Sequence, residues 1–148
     1  MVNRVLQDLP PLIYGDGSQV RCFSYVDDVV PCLGRMGLEQ APVSQIINLG
    51  PDKGELTILE LAEIVCEATG TASKFVFMPP RPCEVHHATC SADKARKLLG
   101  FEATMPFRTG IEKLVQFVRE RGPKEFEYRL DVEIVTEKTP KTWTEKLI

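Results

Sequence analysis

The sequence predicts an α/β domain with a small mixed sheet and flanking helices. Short apolar runs alternate with segments in which apolar residues recur every three to four positions, and Gly or Pro separates most of them. The 148 residues, 43% of them hydrophobic and 26% charged, suit a single globular core. We expect one domain over residues 1–123 and a C-terminal extension over residues 124–148.

The first third of the chain predicts two helices and three strands. A helix over residues 1–9 stops at two prolines, and a strand over Leu12–Tyr14 leads through a glycine-flanked turn into a strand over 19–26. Asp27 or Asp28 then caps a helix that runs to about residue 36, with a proline tolerated in its first turn. A short buried strand is expected over residues 45–49.

The middle of the chain carries sharper signals. Thr57 and Glu60 form a capping box, and Gly70 closes the helix that they begin. A strand over 75–78 runs into a rigid Pro-Pro-Arg-Pro loop, and residues 85–89 are extended. Two further helices follow, one capped by Ser91 and ending at a glycine, the other over residues 107–121.

In the extension, the spacing of apolar residues changes from that of a helix to that of a strand. Five apolar residues alternate with charged ones, which predicts a strand with one apolar face. Such a face docks on a sheet edge, on other protein or on a second chain, so oligomerisation through this strand is an open hypothesis. The five are Phe126, Tyr128, Leu130, Val132 and Ile134.

Several classes of partner are disfavoured. The net charge is −3 and no basic run exceeds two residues, so we expect no nucleic-acid partner. No window approaches 18 apolar residues, so we expect no membrane span. Five cysteines, an odd number without the spacing of a disulfide framework, indicate reduced thiols and a cytoplasmic protein.

Arg21 is the first candidate for binding an anion. On a continuous strand it shares a side with Phe23 and Tyr25, which would partly desolvate its guanidinium group. Two partners are open: a carboxylate of this chain, or a phosphate, which a guanidinium binds with two charge-assisted hydrogen bonds. Backbone N–H groups of the neighbouring glycine turn could bind the same phosphate.

Arg81 is the second candidate. The prolines on either side present its side chain at low cost in entropy, although an exposed loop arginine without a ligand is the plainer interpretation. Glu84, three residues later, would accept a ribose hydroxyl or pair with Arg81.

Metal and cofactor sites are not indicated. Cys83, His86, His87 and Cys90 have an inviting spacing, but a strand would place the two histidines on opposite sides, so we expect no metal and treat the cysteines as core thiols. The chain has neither G-x-G-x-x-G nor Tyr-x-x-x-Lys, and no catalytic triad is legible. Its own chemistry indicates a binding domain without catalytic residues.

Four segments in order resemble one known family. They are PLIYGDGSQVRCFSYVDDVV, INLGPDKGELTILELAEIV, PPRPCEVHHATCSADKARKLLGFEA and FRTGIEKLVQF. Together they are similar to the C-terminal half of extended short-chain dehydrogenases/reductases, the sugar-nucleotide epimerases and dehydratases such as UDP-glucose 4-epimerase. The resemblance covers about residues 1–120.

The resemblance implies a division of labour between two halves. In the family, an N-terminal Rossmann half binds NAD and carries the Tyr-x-x-x-Lys pair, while the C-terminal half binds the nucleotide diphosphate of the substrate. This chain corresponds to the second half, so its expected partners are a nucleotide sugar, most commonly a UDP-hexose in this family, and a Rossmann half. We expect no turnover from the chain alone.

The resemblance also implies seven substrate-binding residues. The first strand contacts the base, the two arginines bind the diphosphate, a glutamine stands beside the first arginine, a carboxylate meets the ribose, and an asparagine lies close to the site. In this sequence they are Leu12, Tyr14, Gln19, Arg21, Asn48, Arg81 and Glu84. The rival hypothesis is a non-catalytic interaction module of the same ancestry that uses the extension strand for partner contact.

Overall fold

The computed structural model describes residues 1–72, 74–125, 127 and 135–146, which form two small sheets flanked by helices. The elements are α1 (Val2–Val5), β1 (Leu12–Tyr14), β2 (Val20–Arg21), α2 (Val26–Leu38), β3 (Leu56–Thr57), α3 (Ile58–Thr69), β4 (Val76–Met78), β5 (His87–Ala88), α4 (Asp93–Leu99), α5 (Phe107–Arg121) and α6 (Lys141–Thr144). The five residues that carry the predicted extension strand, Phe126, Tyr128, Leu130, Val132 and Ile134, lie outside the described residues.

The sheets are short and mixed. Strands β1 and β4 are parallel, with Ile13 opposite Phe77. In the other sheet, β2 lies between β3, which is antiparallel to it, and β5, which is parallel to it. The predicted α/β class with a small mixed sheet and flanking helices is therefore confirmed, although β3 was not predicted.

Two apolar clusters hold the helices in place. Helices α1, α3 and α5 enclose the first, and full burial of each such side chain contributes about 1.5–3 kcal/mol. The second lies between α2 and α4 and contains Cys32, Leu99 and Phe101. The buried residues of the first cluster are Val2, Val5, Ile64, Val65, Ile111 and Val115.

The locally encoded helix ends are confirmed. The Thr57 hydroxyl accepts the Glu60 N–H at 3.1 Å, and the Glu60 carboxylate accepts the Thr57 N–H at 2.7 Å, which completes the capping box. Gly70 ends α3 with φ of 75°. The Ser91 cap is the exception: Ala92 is the N-cap of α4 and makes no side-chain cap hydrogen bond, although Ser91 Oγ accepts the Asp93 N–H at 3.2 Å. Gly100 ends α4 as predicted, and α5 has the predicted bounds.

The second strand and the second helix differ from prediction. Strand β2 ends at Arg21, and α2 begins at Val26 without a side-chain cap. Asp28 instead accepts hydrogen bonds from the Thr104 hydroxyl and the Met105 N–H, at 2.7 and 3.2 Å, so its role is structural but it caps nothing. Because the helix starts early, Pro31 lies beyond its first turn.

The strand predicted over residues 45–49 is wrong. No described strand pairs with this segment. Its side chains nonetheless alternate: Ile47 and Leu49 pack on the second apolar cluster, while Ile46 and Asn48 are exposed. The segment has the period of a strand and lacks the hydrogen-bonding neighbour that would make it one.

The predictions for the end of helix α1 and for the burial of two cysteines also need correction. Helix α1 ends at Val5, ahead of the predicted residue 9, and Asp8 has φ of 61°, outside the helical region. Cys83 is exposed and Cys90 half-buried, so neither is a core thiol, whereas Cys32 and Cys66 are buried.

Candidate functional site

The site is organised by the glycine turn between β1 and β2. Gly15 and Gly17 have φ of 69° and 78°, in the left-handed region that favours glycine. A Cβ atom on Gly17 would lie 3.0 Å from Ile13 Cγ2 and 3.1 Å from Leu59 Cβ. The turn is therefore packed tightly against β1 and the start of α3, which fixes the direction in which β2 leaves it.

Gln19 connects three parts of the site. Its side chain is buried, at 7% exposure. Nε2 donates to the Tyr14 carbonyl at 2.7 Å and to the Glu84 carboxylate at 3.3 Å, which ties the end of β1 to the loop after β4. Its Oε1 is buried and has no hydrogen-bond partner among the described residues, a state that buried polar atoms rarely keep without a ligand or water.

Arg21 lies across the ends of β2 and β5. Its Nη1 donates to the carbonyls of Val20 and His86 at 2.7 and 3.2 Å, and its Nη2 donates to the Val85 carbonyl at 2.6 Å. Nη2 is also 4.0 Å from the Glu84 carboxylate, a long ion pair between side chains that are 26% and 23% exposed. Three of the five guanidinium N–H groups are thus hydrogen-bonded within the described part of the chain.

The premise that Arg21 shares a strand face with Phe23 and Tyr25 is wrong. Strand β2 ends at Arg21, so strand alternation does not extend to the two aromatic residues. Both line a different cavity. The partial burial of Arg21 comes instead from the carbonyls and the carboxylate around it.

Arg81 approaches the same corner from the proline loop. Its guanidinium carbon lies 3.8 Å from the centre of the Tyr14 ring, a cation–π contact of about 0.5–1 kcal/mol at an exposed position. Glu84 contacts Gln19 and Arg21, and the described residues show no ion pair between Glu84 and Arg81. Arg81 is therefore exposed, and its guanidinium group lies over an aromatic ring.

Five of the seven predicted residues come together: Tyr14, Gln19, Arg21, Arg81 and Glu84. Leu12 is half-buried on β1 opposite Val76, two residues before Tyr14. Asn48 is exposed in the unpaired segment 45–49, and no hydrogen bond of the described residues joins it to the other six.

A serine–histidine contact beside the site was not predicted. Ser18 Oγ lies 3.0 Å from His86 Nε2 and donates to the Asp16 carboxylate at 2.5 Å. The Ser18 hydroxyl and N–H both lower the pKa of Asp16, so the serine proton is directed at a carboxylate, and the imidazole is not placed to remove it. The contact orients the turn rather than activating a nucleophile.

A large apolar groove lies between the start of α2 and α5. It has a volume of about 970 Å³, and the rings of Phe23 and Phe107 lie 5.4 Å apart in its wall. Leu114 and Phe117 of α5 also line it and are exposed. Sequence reasoning missed this groove because its lining comes from four separate segments.

Metal and membrane features are both lacking within the described ranges. No group of three or more His, Cys, Asp or Glu side chains there could hold a metal ion. His86 contacts Ser18 while His87 pairs with Glu55 at 3.2 Å, so the two histidines have separate partners. Nor is any described helix sufficiently long and apolar to span a bilayer.

Comparison with known proteins decides the family. The family model for GDP-mannose 4,6-dehydratase matches residues 1–114. The chain belongs to this family of sugar-nucleotide epimerases and dehydratases. The resemblance drawn from the four segments is thereby confirmed.

Curated relatives from this family are longer than this chain. UDP-glucuronic acid decarboxylase 4 of Arabidopsis thaliana is 36% identical over 120 residues, which cover 81% of this chain and 26% of the relative. UDP-glucuronate 4-epimerase of Thermodesulfobacterium geofontis is 29% identical, over 80% of this chain and 36% of its own length. The chain thus spans roughly a quarter to two fifths of the relatives that it matches.

Solved structures of the family share the fold. An epimerase of Methanothermobacter thermautotrophicus superimposes with a TM-score of 0.76 at 32% identity, over 81% of this chain and 36% of that one. UDP-glucuronic acid 4-epimerase of Bacillus cereus, in complex with UDP-glucuronic acid and NAD, gives 0.74 at 26% identity, over 82% and 38%. The family that includes this chain therefore contains enzymes that bind UDP-sugars and NAD.

Proposed function

We propose that this chain binds the nucleotide diphosphate of a nucleotide sugar, as the substrate domain of an NAD-dependent epimerase or dehydratase in sugar-nucleotide or polysaccharide biosynthesis. One observation carries the proposal: two guanidinium groups, Arg21 and Arg81, belong to one corner in which Gln19 and Glu84 connect the elements. Arg21 has N–H groups to spare beyond its three carbonyl partners. Arg81 is exposed on the Tyr14 ring.

The two arginines differ in what binding would require of them. Arg21 is held by backbone carbonyls, so little side-chain entropy is lost when it binds a phosphate. Its Glu84 partner is 4.0 Å away, far enough for a phosphate oxygen to compete for the same N–H group. Arg81 would either keep its stack on Tyr14 or swing from it, and the weak cation–π contact permits both.

Glu84 is proposed to bind the ribose, while Gln19 holds the Tyr14 backbone carbonyl in place beside it. The Glu84 carboxylate is held by Gln19 Nε2 and accepts a ribose hydroxyl with its remaining lone pairs. The unpartnered Gln19 Oε1 supports a ligand or water donor at this position. Leu12 and Asn48 stay in the proposal as the more distant contributors, on β1 and in the segment 45–49.

The residues of this chain do not fit an NAD site. The pyrophosphate of a dinucleotide is held by G-x-G-x-x-G between a strand and a helix, and the sequence has no such motif. We therefore assign NAD and the acid–base chemistry to a Rossmann half. This chain contributes by holding the nucleotide in place, since binding energy remote from the reacting sugar orients it for reaction.

The surface for that Rossmann half is proposed to be the apolar side of α2 together with segment 45–49. Leu33 is 54% exposed and Ile46 89% exposed, and Val26 and Val30 continue the stripe along α2. An extended segment without a strand partner offers unpaired backbone groups to a neighbouring sheet. The large share of the relatives' length that lies outside this match supports such a partner.

The test is a calorimetric titration of the chain with UDP, dTDP, CDP and GDP. We expect binding of one of them, and UDP is the first choice because the relatives named above are a UDP-glucuronic acid decarboxylase and a UDP-glucuronate 4-epimerase. Arg21→Ala and Arg81→Ala should each weaken it by roughly 2–4 kcal/mol, as truncation of a charge-assisted contact does. Arg108→Ala is the matched control, because Arg108 is a surface arginine paired with Glu67.

If the chain alone binds none of the four nucleotides, the same titration is repeated in the presence of a Rossmann half from a relative. The proposal is contradicted if no nucleotide binds in that titration either, or if Arg21→Ala and Arg81→Ala bind as well as Arg108→Ala does. Either result would then favour the interaction module, in which the predicted extension strand makes the partner contact. Conversion of any nucleotide sugar by the isolated chain with added NAD would contradict the assignment of catalysis to the other half.

A further inference from the structure

Another cavity, of about 170 Å³, lies where the C-terminal extension meets the candidate site. One side is formed by the Tyr14 ring, Met78 and the proline loop 79–82. The opposite side is formed by the segment 137–141, which we call the extension wall. Its lining residues are Glu137, Thr139, Pro140 and Lys141.

The extension is hydrogen-bonded to the domain near its start and closes a turn of its own at the wall. Near its start, the Lys124 N–H donates to Asn3 Oδ1 at 2.8 Å, and Asn3 Nδ2 donates to the Lys124 carbonyl at 2.6 Å. At the wall, a turn is closed by the Thr139 N–H on the Thr136 carbonyl, 3.0 Å, and by the Thr136 N–H on Thr139 Oγ1, 2.8 Å. The match to the family model ends at residue 114, so the wall lies beyond the matched region.

The domain side of this cavity is flat. The Arg81 guanidinium is stacked 3.8 Å above the Tyr14 ring, and prolines flank it. Nucleobases bind proteins by stacking on aromatic rings and on guanidinium planes. The Tyr14 hydroxyl is buried and has no hydrogen-bond partner within the described residues, which leaves one donor for a ligand.

The wall side is polar. Lys141 supplies an ammonium donor and Glu137 a carboxylate acceptor at the cavity margin. A flat apolar side opposed to a polar one matches a heteroaromatic ring, whose faces are apolar and whose edges carry donors and acceptors. The volume of about 170 Å³ is below the roughly 300–1,000 Å³ of sites that enclose a complete ligand, so one ring fits and a whole nucleotide sugar does not.

We propose that the extension wall and the Tyr14–Arg81 stack together form the subsite for the base of the nucleoside diphosphate. This inference rests on the proposed function and adds a binding element supplied by residues 137–141. A ring bound there extends toward Arg81, which serves both the base and the phosphates. The restricted volume makes the wall a determinant of base size.

The test replaces a residue of the extension wall with a larger one, so that its side chain fills the cavity. Thr139→Phe should weaken UDP binding at least about tenfold, because the phenyl ring takes the space of the base, and leave pyrophosphate binding unchanged within about twofold. Thr144→Phe is the matched control: it adds the same ring to an exposed position of α6 that does not line the cavity. Thr139→Leu, a smaller filling, should act in the same direction and guards against a misfolded phenylalanine variant. Both ligands are titrated by calorimetry into the full chain at one ionic strength.

Each alternative result contradicts the proposed role of the extension wall in a different way. Unchanged UDP affinity in Thr139→Phe and Thr139→Leu means that the base binds elsewhere. Equal losses for UDP and pyrophosphate mean that the extension acts on the phosphates. Tighter UDP binding means that the segment 137–141 blocks the site instead of completing it. Failure of the unaltered chain to bind either ligand, both alone and with a Rossmann half from a relative, would contradict the proposed function as well. Normal binding by the unaltered chain confines the failure to the wall.

Discussion

Two regions of the molecule are built in opposite ways: the nucleotide corner, which is the proposed nucleotide site, and the α2 surface, which is the exposed apolar side of α2 with the segment 45–49. The nucleotide corner consists of Tyr14, Gln19, Arg21, Arg81 and Glu84. Around Gln19 and Arg21, each strongly polar side chain is held by backbone carbonyls or by a neighbouring side chain. Along α2 and the segment 45–49, apolar side chains such as Leu33 and Ile46 stand in solvent. The first region is organised by the chain itself, whereas the second has the composition of a core without its other side.

The difference indicates which property each region needs. A site that binds a charged ligand gains affinity when its groups are already ordered before the ligand arrives. A surface that packs against another domain needs no internal order, because the partner supplies the missing contacts. The two regions should therefore respond differently to substitution.

The largest expected effect comes from the turn that organises the corner. In Gly17→Ala, left-handed backbone costs roughly 1–2 kcal/mol. The added Cβ, about 3 Å from Ile13 and Leu59, costs roughly a further 1–3 kcal/mol, so we expect a loss of roughly 2–5 kcal/mol in the free energy of unfolding by urea. Gly70→Ala separates the two causes, because Gly70 has φ of 75° and open space around a Cβ. Equal losses in both variants would show that the packing of the turn contributes nothing.

A smaller effect is expected on the α2 surface. Leu33→Lys and Ile46→Lys remove exposed apolar area without opening a cavity, so the free energy of unfolding of the isolated chain should change by no more than about 0.5 kcal/mol. Binding to a Rossmann half should fall clearly in both, measured by co-purification or calorimetry. Lys97→Glu on α4 is the control for a charge change at an exposed position. A loss of stability above about 1 kcal/mol in the isolated chain would mean that these residues already have an intramolecular partner.

A similar difference explains which elements of the fold could be predicted from the sequence: those encoded within one segment, and not those that need a distant neighbour. Thr57, Glu60 and Gly70 act within one helix, so their pattern specified α3 correctly. The segment 45–49 has the alternation of a strand, but a strand also requires a neighbour, and the described residues offer none. The strand over 19–26 was overestimated for a related reason, since β2 pairs with β3 and β5 only at Val20 and Arg21.

The candidate site was predicted unevenly for the same physical reason. Arg21, Arg81 and Glu84 were candidates from local chemistry, to which the resemblance added a ligand, and the fold brings them to one corner with Tyr14 and Gln19. Asn48 shares a motif with the family but sits in the segment that lacks a neighbour. The Ser18–His86 contact joins residues 68 positions apart through the parallel pairing of β2 with β5, which no local pattern encodes. The extension wall is a long-range contact of the same kind.

The smallest expected effect is the acid sensitivity of the Asp52–Arg96 ion pair, whose two residues line the apolar groove. The Asp52 carboxylate is paired with the Arg96 guanidinium at 2.6 Å and accepts the Ala92 N–H at 3.2 Å, and these hydrogen bonds, the arginine first, hold the pKa of Asp52 well below its usual range. A folded-state pKa that is lowered gives stability above the unfolded value of about 4, and that stability is lost as the pH falls through the folded value. Because Asp52 is only half-buried and solvent screens its charge, the change is modest.

This acid sensitivity is measured as the fall in melting temperature between pH 7 and pH 3. Asp52→Asn should flatten that fall, because the amide does not titrate, and should lower the melting temperature slightly at pH 7. Asp27→Asn, at an exposed position of α2, is the control for the loss of one carboxylate. In the nucleotide corner, Arg21 is held by backbone carbonyls, which do not titrate, so its hydrogen bonds should persist where the Asp52–Arg96 pair weakens. An Asp52→Asn profile that overlays the unaltered one would place the acid sensitivity elsewhere and remove this distinction between the two regions.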